Sequence, residues 1–229
     1  MTSEPSISTR FAPSPTGRLH LGHAYSAKFA AEACGSRGRF LLRIEDIDIG
    51  RCRPEFEDGI YEDLAWLGHN WEIPIWRQSD HMTDYRVALD RLESEGLVFS
   101  CFCTRKDLQR QVAEAASAPH GPDGPIYPGT CRNLSPGEVS DRKSAGDAFA
   151  LRLDINSATR QTGALTFYDR AHGVIAVDPA GCGDVVLARK DVPTSYHLSV
   201  TLDDAAQGVT LVTRGDDLLH ATHVHRILQ

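Results

Sequence analysis

The sequence predicts an α/β protein, a doubly wound parallel sheet with an inserted α+β module, on three observations. Strands and helices alternate over the first 96 residues, the composition changes from Ala115 to Gly146, and a βα pattern returns in YHLSVTLDDAAQGVTLVTRG. Residues 7–12 (ISTRFA) form the first strand, PSPTG supplies turn chemistry, and Leu19 to Gly35 is alanine-rich and helical. Residues 39–44 (RFLLRI) form the second strand, followed by the acidic loop EDID and a helix from Pro54 to Leu67, with Pro54 suited to a first helical turn. A third helix covers Met82 to Glu95, where Tyr85, Ala88, Leu89 and Leu92 recur at helical spacing before Gly96. Helices filling every crossover imply a parallel, Rossmann-like sheet.

The middle is rich in Pro, Gly, Ser and Ala, and AEAASAPHGPDGP reads as a surface loop within an inserted module. FALRLDI, GVIAV and DVVLAR read as antiparallel or mixed strands. The expected organisation is residues 1–100 for the first half of the main domain, 101–183 for the insertion and 184–229 for the second half. No internal repeat interrupts this plan.

Composition narrows the function. An apolar content of 41% in 229 residues suffices for a sizeable core. A net charge of −7 excludes an overall positive field, so any nucleic-acid contact is local. Arg37, Arg39, Arg43, Arg51 and Arg53 cluster, and read as a solvated helix flank. MTSEPSISTR has no apolar signal region and no run of about 18 apolar residues follows. The expectation is a soluble, cytoplasmic monomer with no membrane partner. Cys34, Cys52, Cys101, Cys103, Cys131 and Cys182 are irregularly spaced and read as thiols or metal ligands, not as a disulfide framework.

Three constellations carry chemistry. In RFAPSPTGRLHLGH, a strand runs through a Pro/Gly loop into a helix start, where backbone N–H groups attract phosphate. His20 and His23, three apart, both face a ligand there and stabilise charge on an α-phosphate. In LLRIEDID, Glu45, Asp46 and Asp48 lie beyond a strand's carboxyl end, placed to meet a cationic group. Arg10 and Arg214 supply guanidinium forks suited to a substrate with two carboxylates, and Tyr196 supplies a hydroxyl.

His20-Leu21-Gly22-His23 resembles the HIGH signature of class I aminoacyl-tRNA synthetases, and PSPTGRLHLGH, preceded by Arg10-Phe11-Ala12, resembles their glutamyl and glutaminyl branch. RIED, TSYHLSVTLDD and VTRGDD resemble further blocks of that branch. The resemblance covers residues 8 to 100 and 184 to 229. It implies catalytic roles for His20, Gly22 and His23, and a glutamate site of Arg10, Phe11, Ala12, Pro13, Ser14, Glu45, Tyr196 and Arg214, with Glu45 on the ammonium. It also implies ATP as substrate with Mg2+, glutamyl-adenylate as intermediate and transfer to a tRNA hydroxyl.

Cys101, Cys103 and Cys131 suit a structural zinc ion, which needs a fourth ligand. The chemistry leaves Tyr127, His120 and Cys182 as candidates. The pattern Cys-x-Cys, loop, Tyr-x-x-x-Cys is similar to that of the short synthetases that attach glutamate to queuosine in tRNA(Asp), which implies the set Cys101, Cys103, Tyr127 and Cys131. Full-length relatives offer a histidine just after the last cysteine, where Arg132-Asn133 stands here. The inserted module is therefore expected to be a zinc-containing, acceptor-stem-type domain. No KMSKS-like lysine loop is present, and HVHRILQ is expected to be a helix leading toward it. Charging of tRNA(Glu) at its 3′ end, or a non-catalytic paralogue, are the alternatives.

Overall fold

The computed structural model describes residues 6–114, 120–121 and 124–229. It divides into two compact units, one drawn from Met1–Met82 and Leu202–Asp217, the other from Thr83–Thr201 and Leu218–Gln229.

The first unit is built on β1 (Ser8–Phe11), α1 (Leu21–Cys34), β2 (Arg39–Ile44), α2 (Pro54–Trp66) and β3 (Glu72–Arg77). β1 pairs with β2 and β2 with β3, both in parallel, as crossover helices require. β2 is buried on both faces. Phe40, Leu42 and Ile44 pack with Phe11, with Ala27 and Ala30 of α1, and with Ile60 and Leu64 of α2. By the two-residue period of a strand, Leu41 and Arg43 face the other way. α1 closes at Gly35 with φ of 69°, a left-handed turn that favours glycine. A Cβ at Gly38 would lie 2.1 Å from the Cys34 carbonyl oxygen, so only glycine lets the chain re-enter the sheet so tightly. β3 is not legible in the sequence, because Pro74 interrupts its apolar run. An exposed edge strand tolerates that residue.

On the side of β1 away from β2, Thr210 and Leu211 donate N–H groups to the Ser8 carbonyl at 3.0 and 3.1 Å. The chain thus comes back along the opposite edge of β1. No strand pairs with β1 on that side among the described residues, and Arg10 and Phe11 stand at its carboxyl end, where ligands of parallel α/β sheets usually bind.

The second unit holds α3 (Met82–Ser94), β4 (Val98–Cys101), α4 (Arg105–Glu114), the short strands β5 (His120–Gly121) and β6 (Gly124–Pro125), α5 (Pro136–Ser144), β7 (Ala150–Leu153), α6 (Ile155–Thr162), β8 (Thr166–Asp169), β9 (Gly173–Ala176), α7 (Pro179–Cys182), β10 (Val186–Ala188), α8 (Tyr196–Ala206) and α9 (Ala221–Leu228). The last residues of α8 belong to the first unit. β4, β7 and β10 form an antiparallel sheet with β7 at its centre, and β8 and β9 form a hairpin. A small core of Cys101, Phe102 and Cys131, flanked by Phe99, Tyr127 and Phe149, lies beside that sheet. Much of AEAASAPHGPDGP lies outside the described residues, and so does the His120 side chain. Among the described residues, no helix is long and apolar enough to cross a membrane.

Candidate active site

Backbone bonds pin the loop between β1 and α1. Glu45 donates its N–H to the Pro13 carbonyl at 3.0 Å and Arg53 donates to that of Pro15 at 2.9 Å, which holds PSPTG against the acidic loop after β2. Pro13 is buried, Ala12 half-buried and Ser14 exposed. His20 then caps α1. Its Nδ1 accepts the Gly22 N–H at 3.1 Å, while Nδ1 of His23 accepts the His20 N–H at 3.3 Å. With both Nδ1 atoms accepting, each neutral ring carries its proton on Nε2 and offers it to an acceptor outside the helix.

The two rings lie 3.9 Å apart. Burial, and then the neighbouring His20, lower the pKa of His23. A helix start with two such donors suits phosphate oxygens. A Cβ at Gly22 would lie 3.0 Å from Cε1 of His20, so glycine leaves room for the ring. One at Gly17 would meet no protein atom within 4 Å, which leaves the loop open to a ligand.

Behind the loop, the outward face of β2 meets α8 in a buried ion network. Arg10 grips Asp204 with Nε at 3.0 Å and Nη2 at 3.4 Å, and donates from Nη1 to the Thr213 carbonyl at 3.0 Å. Arg43 donates to Asp204 at 2.7 Å and to Gln207 at 3.0 Å, and its Nε lies 3.6 Å from Glu45 and 3.8 Å from Asp203. Asp203 accepts from Trp76 Nε1 at 3.1 Å and from Gln78 at 2.7 Å.

Arg43 is therefore not part of a solvated flank. Arg37, Arg39, Arg51 and Arg53 are exposed, but Arg43 is fully buried because β2 is a central strand. Burial pushes the Glu45 carboxyl up to about 6, with Arg43 and Arg10 pulling it down and Asp203 and Asp204 adding to the rise. Burial would also raise Asp204, but Arg10 and Arg43 outweigh it and hold that carboxyl below its ordinary value. Trp76 and Gln78 lie outside every recognised block, while Arg43, Asp203 and Asp204 lie inside RIED and TSYHLSVTLDD with no role assigned from the sequence. The signals that could have found the buried network are an arginine inside the apolar run LLRI and the paired acids of LDD.

Arg214 is half-buried in the same unit, and Arg10 bonds the carbonyl of the residue preceding it. Tyr196 opens α8 in the second unit, its ring edge-on to His197 and His225 with centroids 5.5 Å from each.

The second unit also gathers the cysteines. The Sγ atoms of Cys101, Cys103 and Cys131 all lie within 4.8 Å of one another. Cys103 and Cys131 are 3.6 Å apart, and the Tyr127 hydroxyl is 3.5 Å from Cys101 and 3.9 Å from Cys103. That hydroxyl oxygen accepts the Cys131 N–H at 2.8 Å. Cys182 stands apart, donating its thiol to the Asp178 carbonyl at 3.3 Å. Four soft or oxygen donors thus converge from β4, the segment after it and the Tyr127 to Cys131 turn. Zinc–sulfur bonds of about 2.3 Å span tetrahedral edges of about 3.8 Å, close to the 3.6 Å between Cys103 and Cys131, so these donors could hold a metal ion.

A parallel sheet whose first strand feeds a histidine-capped helix start suits an enzyme that handles phosphate. The family described as tRNA synthetases class I (E and Q), catalytic domain, matches residues 6–229, and the chain belongs to it. Within that family the chain is similar to the Glutamyl-Q tRNA(Asp) synthetase of Rhodobacter capsulatus, with 50% identity over 96% of this chain and 81% of the relative. It is also similar to the protein of that name from Nocardia farcinica, with 44% identity over 93% of this chain and 64% of the relative. A crystal structure of a glutamate tRNA ligase from Elizabethkingia meningosepticum, in complex with its amino acid, superposes with a TM-score of 0.80 at 26% identity, covering 97% of this chain and 46% of that one. The chain thus spans about half the length of that ligase chain.

Proposed function

We propose that this chain activates L-glutamate with ATP and transfers it to the queuosine base of tRNA(Asp), acting in the cytoplasm. The observation that carries the reading is the identity, 42–50% over most of the chain, to several proteins named Glutamyl-Q tRNA(Asp) synthetase. In the first step a glutamate carboxylate oxygen attacks the α-phosphorus of ATP and pyrophosphate leaves, with Mg2+ accompanying the nucleotide. In the second, a hydroxyl of the base attacks the acyl carbon and AMP leaves. Residues 101–183 serve as the module inserted between the halves of the catalytic domain.

The roles follow the chemistry of each group. His20 and His23 donate Nε2–H to the α-phosphate, Gly22 lets His20 hold its place, and the PSPTG loop lines the site with Phe11, Ala12, Pro13 and Ser14. Glu45 receives the substrate ammonium, Arg10 and Arg214 take its carboxylates, and Tyr196 adds a hydroxyl. The test is charging of queuosine-containing and queuosine-lacking tRNA(Asp) with labelled glutamate, with tRNA(Glu) alongside. Label is expected only on the queuosine-containing tRNA. Equal labelling of both tRNA(Asp) samples, or preferential labelling of tRNA(Glu), overturns the reading.

Glu45 gives this site a pH signature. Only the ionised carboxylate attracts an ammonium, and its pKa is about 6. Below that pH, KM for glutamate in ATP–pyrophosphate exchange is expected to rise roughly tenfold per pH unit, while KM for ATP stays level. Parallel rises in both would remove Glu45 from the ammonium site.

Cys101, Cys103, Tyr127 and Cys131 hold zinc in this proposal. The ion is structural, tying together a loop-rich segment with little core of its own. Chelation is expected to depress tRNA charging well before pyrophosphate exchange. Simultaneous and equal loss of both would contradict a purely structural ion.

A further inference from the structure

We infer that Arg152 is the residue that makes Tyr127 a metal ligand, by compensating the excess negative charge of the donor set and clamping the phenol ring over it. The inference rests on the zinc reading above. Three thiolates and a phenolate bring four negative charges to a dication, a set left strongly anionic unless the protein supplies a cation.

The sheet places one there. β7 is the central strand, and its burial alternates, with Leu151 and Leu153 turned to the core and Arg152 to the opposite face. Arg152 pairs in register with Phe99 of β4, and Cys101 lies two residues further along the same strand, so all three share one face. Tyr127 lies on that face. Its ring stacks on Phe99 at 6.2 Å, and the Arg152 guanidinium sits 4.0 Å above its centroid.

Among the described residues, Arg132, Arg142 and Arg152 approach the cluster, and their partners differ. Arg132 is spent on the Asp184 carboxylate, which it grips through Nε and Nη2. Arg142 lies over the Phe102 ring and pairs with Asp147 at 2.8 Å. Arg152 donates instead to a neutral group, the Asp184 carbonyl, at 2.7 Å. Its Nε is buried with no hydrogen-bond partner among the described residues. A half-buried guanidinium over an aromatic ring, with Nε buried and unmatched, is costly unless an anion lies within reach. The metal-bound donor set would be that anion, and the carbonyl bond helps hold the guanidinium over the Tyr127 ring. Arg152 is thus a positioning residue of the metal site, an outer partner that tunes the ligands it touches.

The experiment measures zinc affinity by chelator competition, together with the absorption spectrum of the cobalt-substituted protein, on wild type, R152M, R152K, Y127F and R152M/Y127F. R152M is expected to weaken zinc binding about 10- to 100-fold, the usual effect of losing an outer-shell partner. Its cobalt spectrum should match that of Y127F, and the double variant should be no weaker than the single ones, since both remove one ligand. R152K, which keeps the charge but loses the planar fork stacked on the ring, should fall between wild type and R152M. Wild-type affinity and spectrum in R152M overturn the inference, and so does a loss in R152K equal to that in R152M, which would assign the role to packing. Absence of zinc binding by the wild type overturns the zinc reading itself, a result distinct from either.

Discussion

Replacing Asp204 with alanine is expected to destabilise the first unit by about 3–5 kcal/mol, the cost of stranding buried charge. Asp204 accepts hydrogen bonds from both Arg10 and Arg43, and Arg43 is fully buried. Without it, two guanidiniums keep only Asp203, Glu45 and neutral acceptors, and Asp203 already serves Trp76 and Gln78. The same bonds set a pH dependence. The Asp204 carboxyl is held below its ordinary value, so its contribution is complete above the unfolded pKa of roughly 4 and is lost as pH falls through the folded one. Denaturant unfolding at neutral pH checks the effect. A loss below about 1 kcal/mol, the scale of an exposed pair, would mean that water reaches the network.

Replacing His20 or His23 with alanine is expected to lower the rate of glutamate-dependent ATP–pyrophosphate exchange by about 10²- to 10³-fold, the effect of removing one preorganised donor to a developing charge. The stability cost should be smaller. His20 is exposed and contributes one capping bond, worth about 1 kcal/mol. H20N separates the two effects, because asparagine restores the cap but offers no donor at the Nε2 position. It should recover stability without recovering exchange. G22A approaches the same point from the other side. Alanine is the better helix former by up to about 1 kcal/mol, yet its Cβ would press on the His20 ring at 3.0 Å. Exchange is therefore expected to fall while the unfolding midpoint holds or rises. Wild-type exchange in H20A would remove that histidine from the chemistry.

Much of the first unit is written locally. The strands 7–12 and 39–44 and the helices after PSPTG and EDID emerge within a residue or two of where periodicity and turn chemistry put them, as β1, β2, α1 and α2. Each depends on a 2.0- or 3.6-residue period and on caps that lie inside a short window. β3 does not, because a proline inside an edge strand sends the opposite local signal. The 115–146 region carries Gly/Pro chemistry that marks a loop but cannot say which residues it brings together.

By itself the sequence determined the alternation of elements, the histidine pair at the start of α1, the Cys-x-Cys and Tyr-x-x-x-Cys spacing, and from these the synthetase family. Only the tertiary structure decided that Arg43 is a buried partner of Asp204 instead of one more surface arginine, that Cys182 stands outside the cysteine cluster, and that Arg152 lies over the Tyr127 ring. The physical reason is separation along the chain. A cap or a strand period is settled among neighbours, whereas the charge state and company of Arg43 depend on α8, about 160 residues away, and no local window contains both partners.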